Sequence, residues 1–460
     1  MTTASATVER PEDEKLPLGR TFIYGLQHIL TMYGGVIAPP LIVGGAAGLS
    51  ATDMGLLVTA GLFVSGLATI LQTIGVGPFG ARLPIVQGLS FASVSTMTAI
   101  AKDGGVRPIF GAIIVAGLIG LALSTIFAKL IRYFPPVVTG TIITVIGLSL
   151  LPTTFTWSMG GAGAKDLGST ANIGLAGLTL LIILVISRLF QGAISRLSIL
   201  IGIVVGTGIA AIFGKVDFSR VGTGPVFALP PVMHFGTPTF QIGAIISMTI
   251  VILVIMTETT ADILAIGEIV NTPVDAKRVA AGLRADMLST TVAPAFSAFP
   301  CSAFAQNVGL VALTGIKSRY VVAMGGGILA VLGLLPVVGR VIAAIPYPVL
   351  GGAGIVLFGS VAASGIKTLS RVDFDGNLNM VIVAVALGMG MIPVAAPKFW
   401  DQFPTAVGTI MHSGISAAAV VAVVLNFLFN EIKAGNRPDV SVFAAVPDER
   451  SNPPKPSSGH

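Results

Sequence analysis

The chain has 460 residues, of which 53% are hydrophobic and only 10% are charged. Soluble globular domains carry about 25% charged residues, so the chain reads as a polytopic membrane protein and a soluble enzyme is excluded. The basic residues behind its net charge of +6 lie between apolar runs, where they set topology rather than meet nucleic acid, and a single cysteine, Cys301, excludes a disulfide scaffold.

A membrane-spanning helix needs about 20 mostly apolar residues. A polar tail over residues 1–17, with Glu9, Arg10, Glu12, Asp13, Glu14 and Lys15, comes first and is no cleavable signal. Apolar runs follow at 21–41, 54–76, 84–101, 108–131, 134–153, 172–192 and 196–214. A second set lies at 240–265, 280–298, 300–315, 319–338, 346–365, 377–396 and 407–430. Fourteen segments are thus predicted, of which the third and tenth are too short to cross as regular helices. After Glu431 the polar stretch 432–460 reads as a disordered tail. Twelve Lys and Arg residues, Lys129 and Arg132 among them, fall in loops on the side of the N-terminus, against seven, including Arg220, on the other. That bias predicts a cell-membrane protein with both termini cytoplasmic, in agreement with the even count.

Pro136-Val137-Val138-Thr139-Gly140, with Gly147, recurs 212 residues later as Pro348-Val349-Leu350-Gly351-Gly352, with Gly359. A looser echo pairs Leu83-Pro84 and Gln87 with Phe299-Pro300 and Gln306. An offset near half the chain reads as duplication of a seven-helix unit. Seven is odd, so the second copy enters the membrane from the opposite side. The expected fold class is therefore all-α, with fourteen segments in two inverted seven-helix repeats, a transporter plan whose site lies near the midplane on interrupted helices. The two short segments each start with proline and are rich in amides and hydroxyls. Non-helical backbone at that depth is tolerated only inside protein or beside a cavity. Segments 3 and 10 should each give a short extended stretch and a half-helix, meeting near the centre.

The acidic residues of the first half fall between spans, whereas Glu258 and Asp262 lie within the eighth span and Asp286 within the ninth. A carboxylate at membrane depth costs at least about 2.5 kcal/mol and should face a cavity or a partner. Glu258 and Asp262, four residues apart, share a helix face, and two carboxylates so close can hold a proton near neutral pH, as a proton-coupled carrier requires. His28 in the first span reads either as a proton relay or as a helix-to-helix hydrogen bonder. His234 and His412 lie near span ends and read as surface or structural residues. No H-E-x-x-H, C-x-x-C or G-x-S-x-G occurs, and the run from Gly208 to Gly214-Lys215-Val216 misses a phosphate loop in spacing and in its last residue. No metal, cofactor or ATP-driven reading is supported.

The run Gln306-Asn307-Val308-Gly309-Leu310-Val311-Ala312-Leu313-Thr314-Gly315 resembles the signature of the nucleobase–ascorbate transporter family, in which Gln-Asn, any residue and Gly precede four residues, Thr, and Gly or a basic residue. Gln27-His28, Glu258-Thr259-Thr260-Ala261-Asp262 and Asp286 also look like that family, so the resemblance runs over most of the chain. It implies a core of segments 1–4 and 8–11, residues 18–133 and 240–345. This core would move in an elevator-like way against a gate of segments 5–7 and 12–14, residues 134–239 and 346–431, in a homodimer in the lipid bilayer. It further implies that Glu258 and Gln306 hydrogen-bond the edge of a purine, with proton symport as the driving force. Phe91 and Phe304 would either stack on the ring or serve as packing, Ser90 and Asn307 would join the binding set, and His28, Asp262 and Asp286 would form the proton network. The residue types fit independently, since a carboxylate accepts from ring N–H groups and a Gln amide both donates and accepts. Backbone amides at half-helix starts favour carbonyl oxygens or an anionic form.

Gln306, where uracil-type members tend to carry Glu, favours an oxidised purine. The sequence Gln-Asn-Val-Gly-Leu, with Ser90 and Ser413 as specificity positions, looks more like urate carriers than xanthine ones, so urate stands first, xanthine second and uracil third. Two other classes stay open. An anion carrier of the sulfate or bicarbonate type shares the architecture but would put a cation, not Glu258, beside the site. A membrane-embedded enzyme or channel would have only Cys301 as a reactive atom near the motif, and a buried Cys is ordinarily packing.

Overall fold

The computed structural model describes residues 10–127, 133–219, 221–375 and 377–432. Glu9, Lys129, Arg132, Arg220 and the tail expected to be disordered, from residue 433 on, lie outside the described residues. In chain order, α1 (Leu18–Ala46) and α2 (Ala51–Ile74) lead to strand β1 (Gln87–Leu89), a short helix α3 (Val94–Gly104) and α4 (Val106–Leu123). Next come α5 (Pro136–Ser158), α6 (Thr170–Leu189), α7 (Ser198–Ile212), α8 (Ile242–Val270) and α9 (Ala276–Val292). Strand β2 (Cys301–Ala303) and a short helix α10 (Ala305–Thr314) follow. The last helices are α11 (Arg319–Gly333), α12 (Pro336–Ala343), α13 (Tyr347–Leu369), α14 (Asn379–Ala395), α15 (Thr405–Met411) and α16 (Gly414–Asn426). Among the described residues, eight helical stretches are long and apolar enough to cross a membrane, or nine if α11 and α12, bent by 77°, form one span. Pro336 causes that bend, because proline cannot donate to the preceding turn and pushes Leu335 into extended backbone.

The two short segments fold as a strand followed by a half-helix. β1 and β2 pair antiparallel, with Gln87 opposite Ala303, Gly88 opposite Ser302 and Leu89 opposite Cys301. A two-stranded ribbon leaves backbone groups unpaired, and at membrane depth these need partners. Threonines from neighbouring helices supply them. Thr69 Oγ1 accepts from Gln87 N–H at 2.9 Å and donates to Gln87 C=O at 3.2 Å, and Thr290 Oγ1 accepts from Cys301 N–H at 3.1 Å.

The repeated Pro-led, Gly-containing motifs open α5 and α13, and these two helices pack closely against each other. Gly140 lies against Leu369, Gly147 against Ala362 and Gly351 against Ser158, a pairing that runs antiparallel. Small residues allow that approach of backbones. One mutually packed group holds α1, α2, α4, α8, α9 and α11, while α5, α6, α7, α13, α14 and α16 make another. The end of the N-terminal tail is bound rather than free. Glu12, in the turn Pro11–Asp13, is buried and pairs with Arg278 at 2.7 Å, while Asp13 pairs with Arg319 at 2.6 Å. Arg278 also donates to Ala81 C=O, and Arg319 to Thr73 C=O. The tail thereby staples the ends of α2, α9 and α11.

Candidate functional site

Where the strand pair ends and α10 begins, a cavity of about 410 Å³ opens between α8, α10 and α13. Glu258 and Asp262 reach it from successive turns of α8, Gln306 from the first turn of α10, and Phe91 from the start of the segment before α3. The two carboxylates are half-buried and Gln306 is exposed. The structure thus brings the acidic helix and the glutamine of the tenth segment to one cavity. Ala305 and Gln306 also line the cavity, at the end of a helix whose first N–H groups have no intrahelical acceptor. The site therefore presents acceptors on α8 facing donors on α10.

Phe304 forms a wall. Its ring sits between α1 and β1, against Gly35 and Gly88, and a Cβ at either glycine would collide with it. Its N–H donates to Val86 C=O at 3.1 Å, which ties the wall to the first segment. Phe91 stands beside it, ring centroids 6.1 Å apart, and meets Phe358 edge-on at 5.7 Å. Two tilted aromatic rings thus lie together beside the polar groups of the cavity. A second cavity, of about 260 Å³, shares Phe304, Gln306 and Ser360 with the first and carries Arg196.

Five of the residues singled out from the sequence do not line the main cavity. Asn307 turns toward α1, where its side-chain amide contacts His28 Nδ1 at 3.1 Å and donates to His28 C=O at 2.9 Å. Asp286 is buried between α2 and α8, accepting from Thr259 Oγ1 at 2.5 Å and Gln72 Nε2 at 3.4 Å. Thr259 lies next to Glu258 and also accepts from Ala303 N–H at 3.3 Å, so Asp286 fixes the strand and the acidic helix in one network. Ser90 is buried, its N–H donates to Pro300 C=O at 2.8 Å, and its hydroxyl has no hydrogen-bond partner among the described residues. Ser413 caps α16 through Ser416 N–H at 3.2 Å and contacts Thr96 Oγ1 at 2.6 Å. The fifth, His28, is buried against Asn307.

Sequence reasoning missed the wall opposite Glu258. Ser360, Ser364 and Thr368 of α13 line the cavity, spaced by four so that they form one stripe on a helix. That stripe of hydroxyls in an otherwise apolar span was the available signal.

The Permease family profile matches residues 19–399 of the chain. The xanthine permease of Bacillus subtilis is 42% identical over 412 residues, covering 90% of this chain and 94% of that protein. The uric acid transporter UacT of Escherichia coli is 40% identical, covering 93% and 90%, and the uric acid permease PucK of Bacillus subtilis is 40% identical, covering 90% and 96%. Among solved structures, the transmembrane domain of the cyanobacterium bicarbonate transporter BicA superposes with a TM-score of 0.56 at 18% identity, covering 91% of this chain and 99% of that one. The murine anion transporter Slc26a9 in its inward-facing state superposes with a TM-score of 0.60 at 14% identity, covering 92% and 73%. At such identities these two structures speak for the fold alone.

Proposed function

The chain belongs to the nucleobase–ascorbate transporter family, a family of permeases and not of enzymes, and from that premise we propose that it imports an oxidised purine by proton symport, urate first and xanthine next. The observation that carries this reading is the convergence of Glu258 and Gln306 on one cavity walled by Phe91 and Phe304. An oxidised purine is a flat ring with alternating N–H and C=O groups along its edge. Glu258 would accept from the N–H groups, Gln306 and the start of α10 would serve the carbonyls, and the phenylalanines would cover one side of the ring. Relatives named as xanthine and uric acid carriers, at about 40% identity over nine-tenths of the chain, support the same substrate class.

Fourteen segments in two inverted repeats fit the pairing of matched elements. β1 lies antiparallel to β2, and α5 lies antiparallel to α13, as a two-fold axis in the membrane plane requires. The core is residues 18–133 with 240–345, and the gate is residues 134–239 with 346–431. Both termini are cytoplasmic, the cavity beside α10 opens inward, and the core slides against the gate of a homodimer. Glu258 and Asp262 carry the proton. Asp286 and the His28–Asn307 pair hold α8 and α10 in place, and Ser90 and Ser413 tune specificity from behind the cavity wall. An inorganic-anion carrier of the same architecture is disfavoured because a small inorganic anion has no row of ring N–H groups for Glu258 to accept from.

Uptake of radiolabelled urate and xanthine by cells expressing the chain, at two external pH values, tests the proposal. Urate accumulates, faster at the lower pH, and a protonophore abolishes the accumulation. Sodium-dependent uptake that ignores the protonophore would overturn the coupling, and sulfate competing better than purines would overturn the substrate.

A further inference from the structure

A second large cavity, of about 440 Å³, lies on the other side of the strand pair, lined by Thr98 and Lys102 of α3, Ser149 and Thr153 of α5, and Asp401 and His412 near α15. Asp401 and His412 pair at 3.4 Å. Helix direction places this cavity opposite the purine cavity. α3 runs away from the strands toward it, as α10 runs away from them on the other side.

Beside it is a knot of four hydroxyls from three elements. Thr96 Oγ1 of α3 lies 2.6 Å from Ser413 Oγ and 3.3 Å from Ser416 Oγ, and Ser416 Oγ lies 3.0 Å from Ser247 Oγ of α8. All four residues are fully buried. Ser247 precedes Glu258 by eleven residues, about 16 Å along the helix axis. The knot joins α3 and α8, on the core side, to the start of α16, on the gate side.

Its chemistry suits a contact that breaks and re-forms. A hydroxyl both donates and accepts, and once separated it can turn back onto the carbonyl one helical turn earlier. Parting four hydroxyls strands no charge in the membrane, whereas parting an ion pair would. Close packing of apolar side chains alone would not need donors and acceptors matched across three helices.

We propose that the Thr96–Ser413–Ser416–Ser247 knot is the closed outer gate of the transport path, and that the 440 Å³ cavity is the antechamber that receives the purine from outside. The inference rests on the transport reading and on the orientation given above. It makes Ser413 a gate residue, which acts on specificity by deciding which purine opens the knot.

The test is a disulfide across the knot. In Thr96→Cys/Ser413→Cys the sulfurs replace oxygens already 2.6 Å apart, close to the S–S length of about 2.05 Å, and fully buried Cys301 stays in place. Oxidation of cells expressing this variant should cut urate uptake to the level of cells lacking the protein, and a reductant should restore it. Bond formation is read as a fall in maleimide labelling of the denatured protein from three thiols to the one of Cys301. A bond that forms without stopping uptake overturns the gate, and so do thiols that stay free under oxidant.

The antechamber is tested separately with Thr98→Cys and a membrane-impermeant maleimide on intact cells. Labelling should occur and should slow severalfold with saturating urate. No labelling, or labelling indifferent to urate, overturns the antechamber. If the unmodified chain takes up no purine, the transport reading fails on that result alone, while labelling of Thr98→Cys still reports whether the cavity faces outward.

Discussion

The two broken segments are built alike and used differently. Each runs from a proline into a three-residue strand and then a half-helix, and each carries a glutamine near its turn. Gln306 is exposed and lines the cavity between α8, α10 and α13, whereas Gln87 is fully buried. The two segments share a frame, and the asymmetry comes from what packs behind each of them. α1, α2 and the Phe304 ring close over β1, while α10 starts at an open wall.

The largest expected effect lies on the open half. Glu258→Gln or Gln306→Ala should lower urate uptake by about 100-fold, the loss of one or two charge-assisted hydrogen bonds, with the protein still in the membrane by immunoblot. Normal uptake by either variant would remove that side chain from the site. Next in size is the wall between the halves. Gly88→Val should displace the Phe304 ring and cost about tenfold in uptake through strain of about 1–3 kcal/mol, read as a higher KM for urate. Unchanged kinetics would mean that Phe304 does not need its glycine seat.

The buried half should respond less. Gln87→Ala removes an amide that does not line the cavity, so a decrease of no more than severalfold is expected. A loss as complete as that of Gln306→Ala would break the contrast drawn between the halves. The smallest effect is on selectivity. Ser90→Asn with Ser413→Asn should shift the ratio of urate to xanthine uptake toward xanthine by a factor of a few, about 1 kcal/mol. Competition assays with both purines measure the ratio directly, and an unchanged ratio would cancel the assignment of these serines to specificity.

Much of the site could be read from residue order because a few signals are costly to place by accident. Carboxylates in an apolar run, prolines at the start of short runs and a Gln-Asn motif each need a physical reason at membrane depth. Glu258, Asp262, Gln306, Phe91 and Phe304 met in one cavity for that reason. Asn307, Asp286 and Ser413 carry equally polar side chains, yet they turn to His28, to Thr259 and to Thr96. Nothing in the local sequence distinguishes a polar group that meets substrate from one that meets another helix, since burial demands a partner in both cases. The hydroxyl stripe of α13 was missed because serine and threonine in a membrane span ordinarily bond their own helix, as Ser360 and Thr368 also do.

The sequence by itself determined the solvent, the apolar segments and the two places where a helix must be interrupted, because transfer of charge and backbone polarity into lipid is unfavourable wherever the chain goes. Tertiary structure alone decided which face of each segment looks into a cavity, which cavity that is, and where the N-terminal acids find Arg278 and Arg319. Those outcomes depend on neighbours hundreds of residues away. Helical spacing fixes which side chains share a face, but only packing fixes what that face meets.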